Sequence, residues 1–409
     1  MSVSASERPA LADRRARAAV AVLFLTNGAL FSNLIPRLPG IKSDLGLDNA
    51  AYGLVVAAFP AGAISAGLAS AFLIRRFGSA PMAVIGTVLT GLGVFAAVLV
   101  PSPLALAALL FFAGAADSVT DVAQNAHGLR VQRRYGRSII NSFHALWSIG
   151  AVLGGSMAAA ALAVDLPRPA HLGTTAVLFS LTAVAAYRFR LPGPDEDPAV
   201  ASAADGRRGS GVGVKTVLVL AALIGIAMGG TLVEDAGSSW ATLYLSTELT
   251  APAAFAASGY IALVGAQFIG RMIGDRLVDR FGQRAVARAG GLLAAVGMSA
   301  ALAFPTVPGT VLGFAAAGFG VATLVPAAMH EADELPGLRA GTGLTVVSWL
   351  MRLSFLLSPP LIGLLADATS LRTGLVIVPV AGVMVASLAG VLASRLPARP
   401  ADEEAPAPV

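Results

Sequence analysis

Asp117, Asp121, Gln124 and Asn125 stand at i, i+4, i+7 and i+8 within an otherwise apolar stretch of this 409-residue chain. On a helix that spacing puts two carboxylates and two amides on one face. Two carboxylates so placed repel when both are ionised, so one can hold a proton and release it when the surroundings change. That is the chemistry of a proton-coupled carrier, with Asp121 and Asp117 as the expected proton sites. The competing role for Asp121 is a plain ion pair with Arg130 or Arg134.

Further along, His144, Trp147 and Ser148 share one helical face. They offer an imidazole that can donate or accept and an indole plate against which a sugar ring can stack, or else an ordinary interhelical bond. Thr26, Asn33 and Arg37 form a stripe beside Asn27 and Pro36, suited either to solute hydroxyls or to helix–helix hydrogen bonds. Glu234 and Asp235 precede Trp240 in a stretch interrupted by Gly229, Gly230 and Gly237. The pair reads as a gate in a broken helix, or as residues of the outer interface with Trp240 as a belt aromatic. Arg352, with Trp349 one turn earlier, suits an anionic group or a carboxylate from another helix. Arg271 and Asp275 are spaced for an intrahelical pair or a cross-bundle latch. Adjacent His330 and Glu331 point about 100° apart on a helix, so they do not suggest a metal site.

These polar residues sit in apolar runs that recur almost from end to end. Of the whole chain 56% is hydrophobic and 12% charged, against roughly 25% charged in an ordinary soluble domain. Twelve transmembrane helices are expected, near 18–38, 52–74, 81–100, 104–127, 139–163, 171–190, 216–245, 255–275, 285–304, 309–330, 341–365 and 372–394. The resulting plan is a tail over 1–17, a six-helix unit over 18–190, a Pro/Gly/Asp-rich linker over 191–214, a second unit over 215–394 and a tail over 395–409. The first helix lacks an Ala-x-Ala site just beyond it and is read as retained.

With the N-terminus inside, about 23 of the 28 Lys and Arg fall in cytoplasmic segments. The clusters are Arg14, Arg15 and Arg17; Arg75 and Arg76; Arg130, Arg133, Arg134 and Arg137; Arg207 and Arg208; and Arg276, Arg280 and Arg284. The net charge of +5 is therefore read as a topology signal in a bacterial inner-membrane protein with both termini cytoplasmic, and no nucleic-acid partner is expected. The chain has no cysteine, which excludes disulfides and thiolate sites.

Arg75-Arg76-Phe77-Gly78 reappears as Asp279-Arg280-Phe281-Gly282 at an offset of 204 residues, and Ala113-Gly114 as Ala317-Gly318. Duplication of a six-helix unit explains this, with the solute site at the interface of the repeats.

The run Gly274-Asp275-Arg276-Leu277-Val278-Asp279-Arg280-Phe281-Gly282-Gln283-Arg284 resembles the loop signature of the major facilitator superfamily. The first copy departs from it, with Arg75 where the family carries an acid. Asp121-Val-Ala-Gln-Asn125-Ala-His127-Gly128, Asn141-Ser-Phe-His144-Ala-Leu-Trp147-Ser148-Ile-Gly150 and Glu234-Asp235-Ala-Gly-Ser-Ser-Trp240 are similar to the rhizopine-transport-like (MosC-like) branch, distantly related to fucose/proton symporters. The resemblance implies an all-α membrane fold of two six-helix bundles around a central cavity. It also implies a helix-four carboxylate, four residues before an Asn, in the place of Asp121 and Asn125. His144 stands where the symporters have Gln.

The expected function is alternating-access transport of a small polar solute such as a sugar, polyol or inositol, coupled to protons, by a monomer in the bilayer. No enzymatic activity, cofactor or metal is expected. The proposed solute contacts are Asn33, Gln124, Asn125, His144, Trp147, Trp349 and Arg352. The gating residues are Arg37, Glu234, Asp235, Arg271, Asp275, Asp279, Arg280 and Gly282. Efflux of an amphipathic compound is the alternative within transport, although the Gly150-Ala-Val-Leu-Gly154-Gly155 run lacks the Pro of exporter motifs. A non-transporting receptor is the alternative outside it.

Overall fold

A backbone surrounded by hydrocarbon must satisfy its hydrogen bonds within the segment, which turns long apolar runs into helices. The computed structural model describes residues 10–135, 139–193, 213–338 and 342–394. Among these, 12 helical segments are long and apolar enough to cross a membrane, and no strand occurs. They are α1 (Leu11–Asp44), α2 (Asn49–Phe77), α3 (Ser79–Ala97), α4 (Pro103–Tyr135), α5 (Ile140–Ala163), α6 (Arg168–Tyr187), α7 (Val214–Thr247), α8 (Ala253–Phe281), α9 (Gln283–Ala303), α10 (Val307–Asp333), α11 (Thr342–Ala368) and α12 (Leu371–Val391). The fold is the expected all-α, twelve-span architecture.

The apolar pattern locates the spans but not their polar ends. α1 begins at Leu11, so Arg14, Arg15 and Arg17 belong to the helix and not to a tail. It also breaks earlier than expected, through a 3-10 turn at Ile35–Arg37, where the ring of Pro36 cannot continue the hydrogen-bond ladder. α10 is interrupted between Val321 and Leu324. The expected first tail (in part), Arg137, Arg207, Arg208, most of the linker and the second tail lie outside the described residues.

The duplication read from the sequence is present in the backbone. Gly78 joins α2 to α3 at φ 90 and ψ 150, and Gly282 joins α8 to α9 at φ 84 and ψ 154. Only glycine adopts this region without strain. Arg76 and Arg280 lie over the following rings, Phe77 and Phe281, at 5.6 and 5.3 Å. Deeper in each half, Gly114 of α4 packs on the carbonyl of Phe59 in α2, and Gly318 of α10 packs on the carbonyl of Leu263 in α8. A Cβ at either glycine would collide with that carbonyl, so the same close crossing is built twice.

The two halves meet mainly at one side of the bundle. We call the side where α1 starts and α12 finishes the terminal side, and its opposite the far side. On the far side Asp367 of α11 accepts from the backbone N–H groups of Asn49 and Ala50 at 3.0 and 2.7 Å and from the Asn49 side chain at 2.8 Å. It thereby caps α2 of the other half, satisfying otherwise orphaned N–H groups. Tyr52 donates to the Ser239 carbonyl at 2.8 Å and meets Trp240 edge to face with centroids 5.1 Å apart.

Trp240 is 0% exposed. This corrects the belt reading, because the indole fills the seam between the halves and does not stand at a membrane interface. One apolar cluster joins Leu34, Tyr52 and Val55 of the first half to Trp240, Tyr260 and Ile362 of the second. Toward the terminal side, the first half packs in clusters of its own, around Ala19, Leu23 and Val119 and around Val20, Phe24 and Phe143. The halves are sealed on the far side and part toward the terminal side.

Replacing Gly282 by Ala is expected to lower unfolding stability by about 1–3 kcal/mol through backbone strain. Gly78→Ala should cost a similar amount, which thermal melts of detergent-purified protein can measure. Equal melting of either variant and the parent would contradict the assigned conformation.

Candidate transport site

On α4 the two carboxylates face different partners. Asp117 accepts from the Asn27 amide of α1 at 2.6 Å, and the Asn27 carbonyl accepts from the Trp147 indole of α5 at 2.8 Å. This relay ties three helices together. Asp121 accepts from the Asn125 amide at 3.1 Å, and the Asn125 carbonyl pairs with His144 Nε2 of α5 at 3.1 Å. With its carbonyl facing that nitrogen, Asn125 makes Nε2 the donor. Phe24 backs the imidazole edge to face at 5.2 Å.

Asp121 forms no ion pair with Arg130 or Arg134 among the described residues. Arg134 instead pairs with Asp13 of α1 at 2.9 Å. The ionisable groups close enough to Asp121 to act on it electrostatically are Asp117, His144 and, from the other half, Arg352 on α11. Arg352 is half-buried and makes no hydrogen bond or ion pair of its own among the described residues. Trp349 is 48% exposed and has no polar partner among them.

Gln124 shares the helix with these carboxylates but not their surroundings. It is 1% exposed and donates to the Leu23 carbonyl of α1 at 3.0 Å. Its amide therefore serves helix packing in this conformation. Trp147 likewise spends its N–H on Asn27 and packs against the Phe24–Phe143 cluster.

The second half supplies a facing polar group. Glu234 of α7 accepts from Gln267 of α8 at 2.7 Å and lies 3.7 Å from the Arg271 guanidinium. Arg271 also donates to Ser148 of α5 at 3.3 Å. Of the two readings of Arg271 and Asp275, the intrahelical pair is not formed among the described residues, and Arg271 instead reaches across to the other bundle. Asp235, next to Glu234, turns into the seam, where it is 7% exposed and accepts from Ser239 at 3.3 Å. Nearer the far side, Ser32 of α1 and Tyr260 of α8 share a hydrogen bond of 2.6 Å across the halves.

The α1 stripe points away from this gap. Thr26 donates to its own helix at Leu23. Asn33, 0% exposed, donates to Ala29 and pairs with His171 of α6 at 2.9 Å. Arg37 donates to the Leu166 carbonyl at 2.8 Å and lies 3.4 Å from His171. Of the two readings of the stripe, the structure shows the helix–helix bonds. Asp275, Asp279 and Arg280 are exposed at the terminal end of α8, where Gly282 makes the turn into α9.

The structure thus assembles Asp117, Asp121, Asn125 and His144 with Arg352, Arg271 and Glu234 across the gap between halves, and leaves Asn33, Gln124 and Arg37 outside that group. Sequence spacing missed Asn27, Ser32, Ser148 as an inter-half partner, Tyr260, Gln267 and His171. Apart from Asn27 and Ser148, which border the stripes above, no one-helix pattern singles them out. Among the described residues no cluster of three or more His, Cys, Asp or Glu side chains could hold a metal ion.

Twelve spanning helices in duplicated six-helix halves, parted by a polar gap, define a secondary transporter, not an enzyme. The sequence profile of the Major Facilitator Superfamily matches residues 20–266 and 228–409, and the chain belongs to that superfamily. An uncharacterized transporter of Sinorhizobium fredii (strain NBRC 101917 / NGR234), y4wD, is 30% identical over 377 residues, covering 91% of this chain and 97% of the relative. The membrane protein MosC of Rhizobium meliloti is 27% identical over 370 residues, covering 90% and 88%. That likeness agrees with the branch suggested by the helix-four and helix-five motifs. The crystal structure of the nucleoside transporter NupG shares the fold, with a TM-score of 0.69 at 12% identity over 93% of this chain and 99% of that one.

If the Trp147–Asn27–Asp117 relay joins the helices as described, Asn27→Ala and Trp147→Phe should each lose about 0.5–2 kcal/mol. The double variant should lose less than the two losses added together. Unfolding titrations of the four proteins measure this, and strict additivity would contradict the relay.

Proposed function

We propose that the protein carries a small hydroxyl-rich solute, a sugar, polyol or inositol-like compound, by proton-coupled alternating access. The observation that carries this reading is the juxtaposition across the halves of Asp121 with Arg352 and of Ser148 with Arg271 and Glu234. Carriers of this kind bind near the midplane between repeats and switch by rocking one repeat against the other. Alternating donors and acceptors at Asn125, His144, Ser148, Gln267 and Glu234 suit a ring of hydroxyl groups better than an apolar drug. Charged groups at this depth are costly unless they face a cavity or each other, which argues for a working role.

In the proposed cycle Asp121 takes the proton, with Asp117 beside it held by Asn27. Protonation weakens the attraction between Asp121 and Arg352, so proton binding lessens the charge that draws the halves together. Arg271 is the gate residue, since its bond to Ser148 of the first half must break when the halves separate there, while its pairing with Glu234 stays within the second half. Arg37, Asp235 and Trp349 serve the seam and its edges, and Asp275, Asp279, Arg280 and Gly282 form the terminal-side hinge. The arginine-rich terminal side supports a cytoplasmic position in a bacterial inner membrane, which makes the present conformation inward-facing. A monomer suffices, since both halves of the site lie in one chain.

In proteoliposomes, Asp121→Asn is expected to lower pH-gradient-driven uptake of a radiolabelled solute by about 5–150-fold, corresponding to a coupling free energy of about 1–3 kcal/mol. A panel of sugars, polyols and inositol identifies the solute with the parent protein first. Unimpaired gradient-driven uptake by Asp121→Asn would remove the proposed proton role.

A further inference from the structure

Two arginines of the second half face the first, and only one of them is engaged. Arg271 of α8 donates to Ser148 at 3.3 Å and lies 3.7 Å from Glu234. Arg352 of α11 is half-buried, and its guanidinium makes no hydrogen bond or ion pair among the described residues. It stands ten residues beyond Thr342, where α11 begins, which is about 15 Å into the helix. Bonds on either side fix its place there. Ser354 donates to the Met228 carbonyl of α7 at 3.2 Å, and Thr231 of α7 donates to the Met351 carbonyl at 3.3 Å. Arg352 lies about 200° round the helix from Ser354, and its charge reaches Asp121 across the gap.

A guanidinium offers a planar fork of N–H donors that matches the two oxygens of a carboxylate, and at this depth it is costly without a partner. The other carboxylates of the gap are committed elsewhere. Glu234 is held by Gln267 and Arg271, and Asp117 by Asn27. His144 pairs with Asn125. Of the helices packed on α11, α2 carries Arg75 and Arg76, and α10 carries His330, Glu331 and Asp333, at their terminal ends. Asp121 is thus the counter-charge within reach of Arg352, and in the proposed cycle it gives up that charge on taking the proton. Resting on that transport reading, we propose that the solute itself carries a carboxylate. It is a polyhydroxy acid whose anion seats on Arg352 while its hydroxyl groups meet Asn125, His144 and Ser148. Proton and anion then favour each other's binding. Without the proton, Asp121 and the solute carboxylate share one cation, and without the anion, protonation of Asp121 leaves Arg352 with no counter-charge. One proton and one monoanion cross together with no net charge.

The test uses proteoliposomes of the purified full-length protein and radiolabelled gluconate and glucuronate, set against sorbitol, glucose and inositol, which bear hydroxyl groups without the acid. Under an inward-directed pH gradient at least one acid should enter roughly ten-fold faster than any uncharged compound. A membrane potential imposed at equal pH should drive no accumulation of it. Arg352→Gln should lower acid uptake roughly ten-fold or more. Arg352→Lys, which keeps the charge but not the fork, should retain more uptake than Arg352→Gln. Transport of neither acid by the parent overturns the inference. If an uncharged compound crosses all the same, the transport reading stands, and if nothing crosses, that reading falls with it. Undiminished acid uptake by Arg352→Gln, or accumulation driven by potential alone, also overturns the inference.

Discussion

Hydrocarbon offers a polar side chain neither water nor counter-ion, so each such group in a spanning helix must find a partner in the protein or face a cavity. This constraint sorts the polar residues of the chain into two sets. Thr26, Asn33, Gln124, Trp147 and His171 are bonded to neighbouring helices or to their own backbone and hold the halves in shape. Asp121, His144, Arg271, Arg352 and Glu234 remain on facing surfaces of the two halves. Arg352 alone of these makes no hydrogen bond or ion pair among the described residues, and Arg271 reaches across to Ser148 of the other half.

The same constraint accounts for the way the halves are joined. Where they touch, on the far side, backbone and side-chain groups pair across the boundary: Asp367 with the start of α2, Tyr52 with Ser239 and Ser32 with Tyr260. Every one of these bonds must break if the molecule opens on that side, and none is internal to a half. A set of modest hydrogen bonds, two of them buried and those of Asp367 exposed, is suited to a reversible seam. The internal crossings, repeated at Gly114 and Gly318, are backbone-tight and suit rigid bodies.

The twelve spans, the duplication and its period were legible in the sequence, because hydropathy and a glycine turn are local signals. Gly78 and Gly282 were found by their neighbours and adopt the same conformation. The α4 face was legible only in part. Spacing grouped Gln124 with Asp121 and Asn125, but a helical face is wider than a cavity, and Gln124 lies on the edge that α1 covers. The seam was not legible: Tyr260 and Ser32 carry no pattern on their own helices, and their bond joins residues 228 apart in the chain. Trp240 misled in the same way, since an aromatic near a span's end reads as a belt residue until a partner half is placed over it.

If the seam opens under control of the helix-four carboxylate, its opening must follow pH. The cysteine-free chain allows one clean pair of spin labels on the far side, at Val164→Cys in the α5–α6 connection and Phe304→Cys at the end of α9, both exposed. Electron–electron distance measurements across a pH series should show two populations whose ratio changes with pH in the labelled parent and stays constant when Asp121→Asn is added. A parent distribution that ignores pH, or the same pH response with Asp121→Asn, would contradict it.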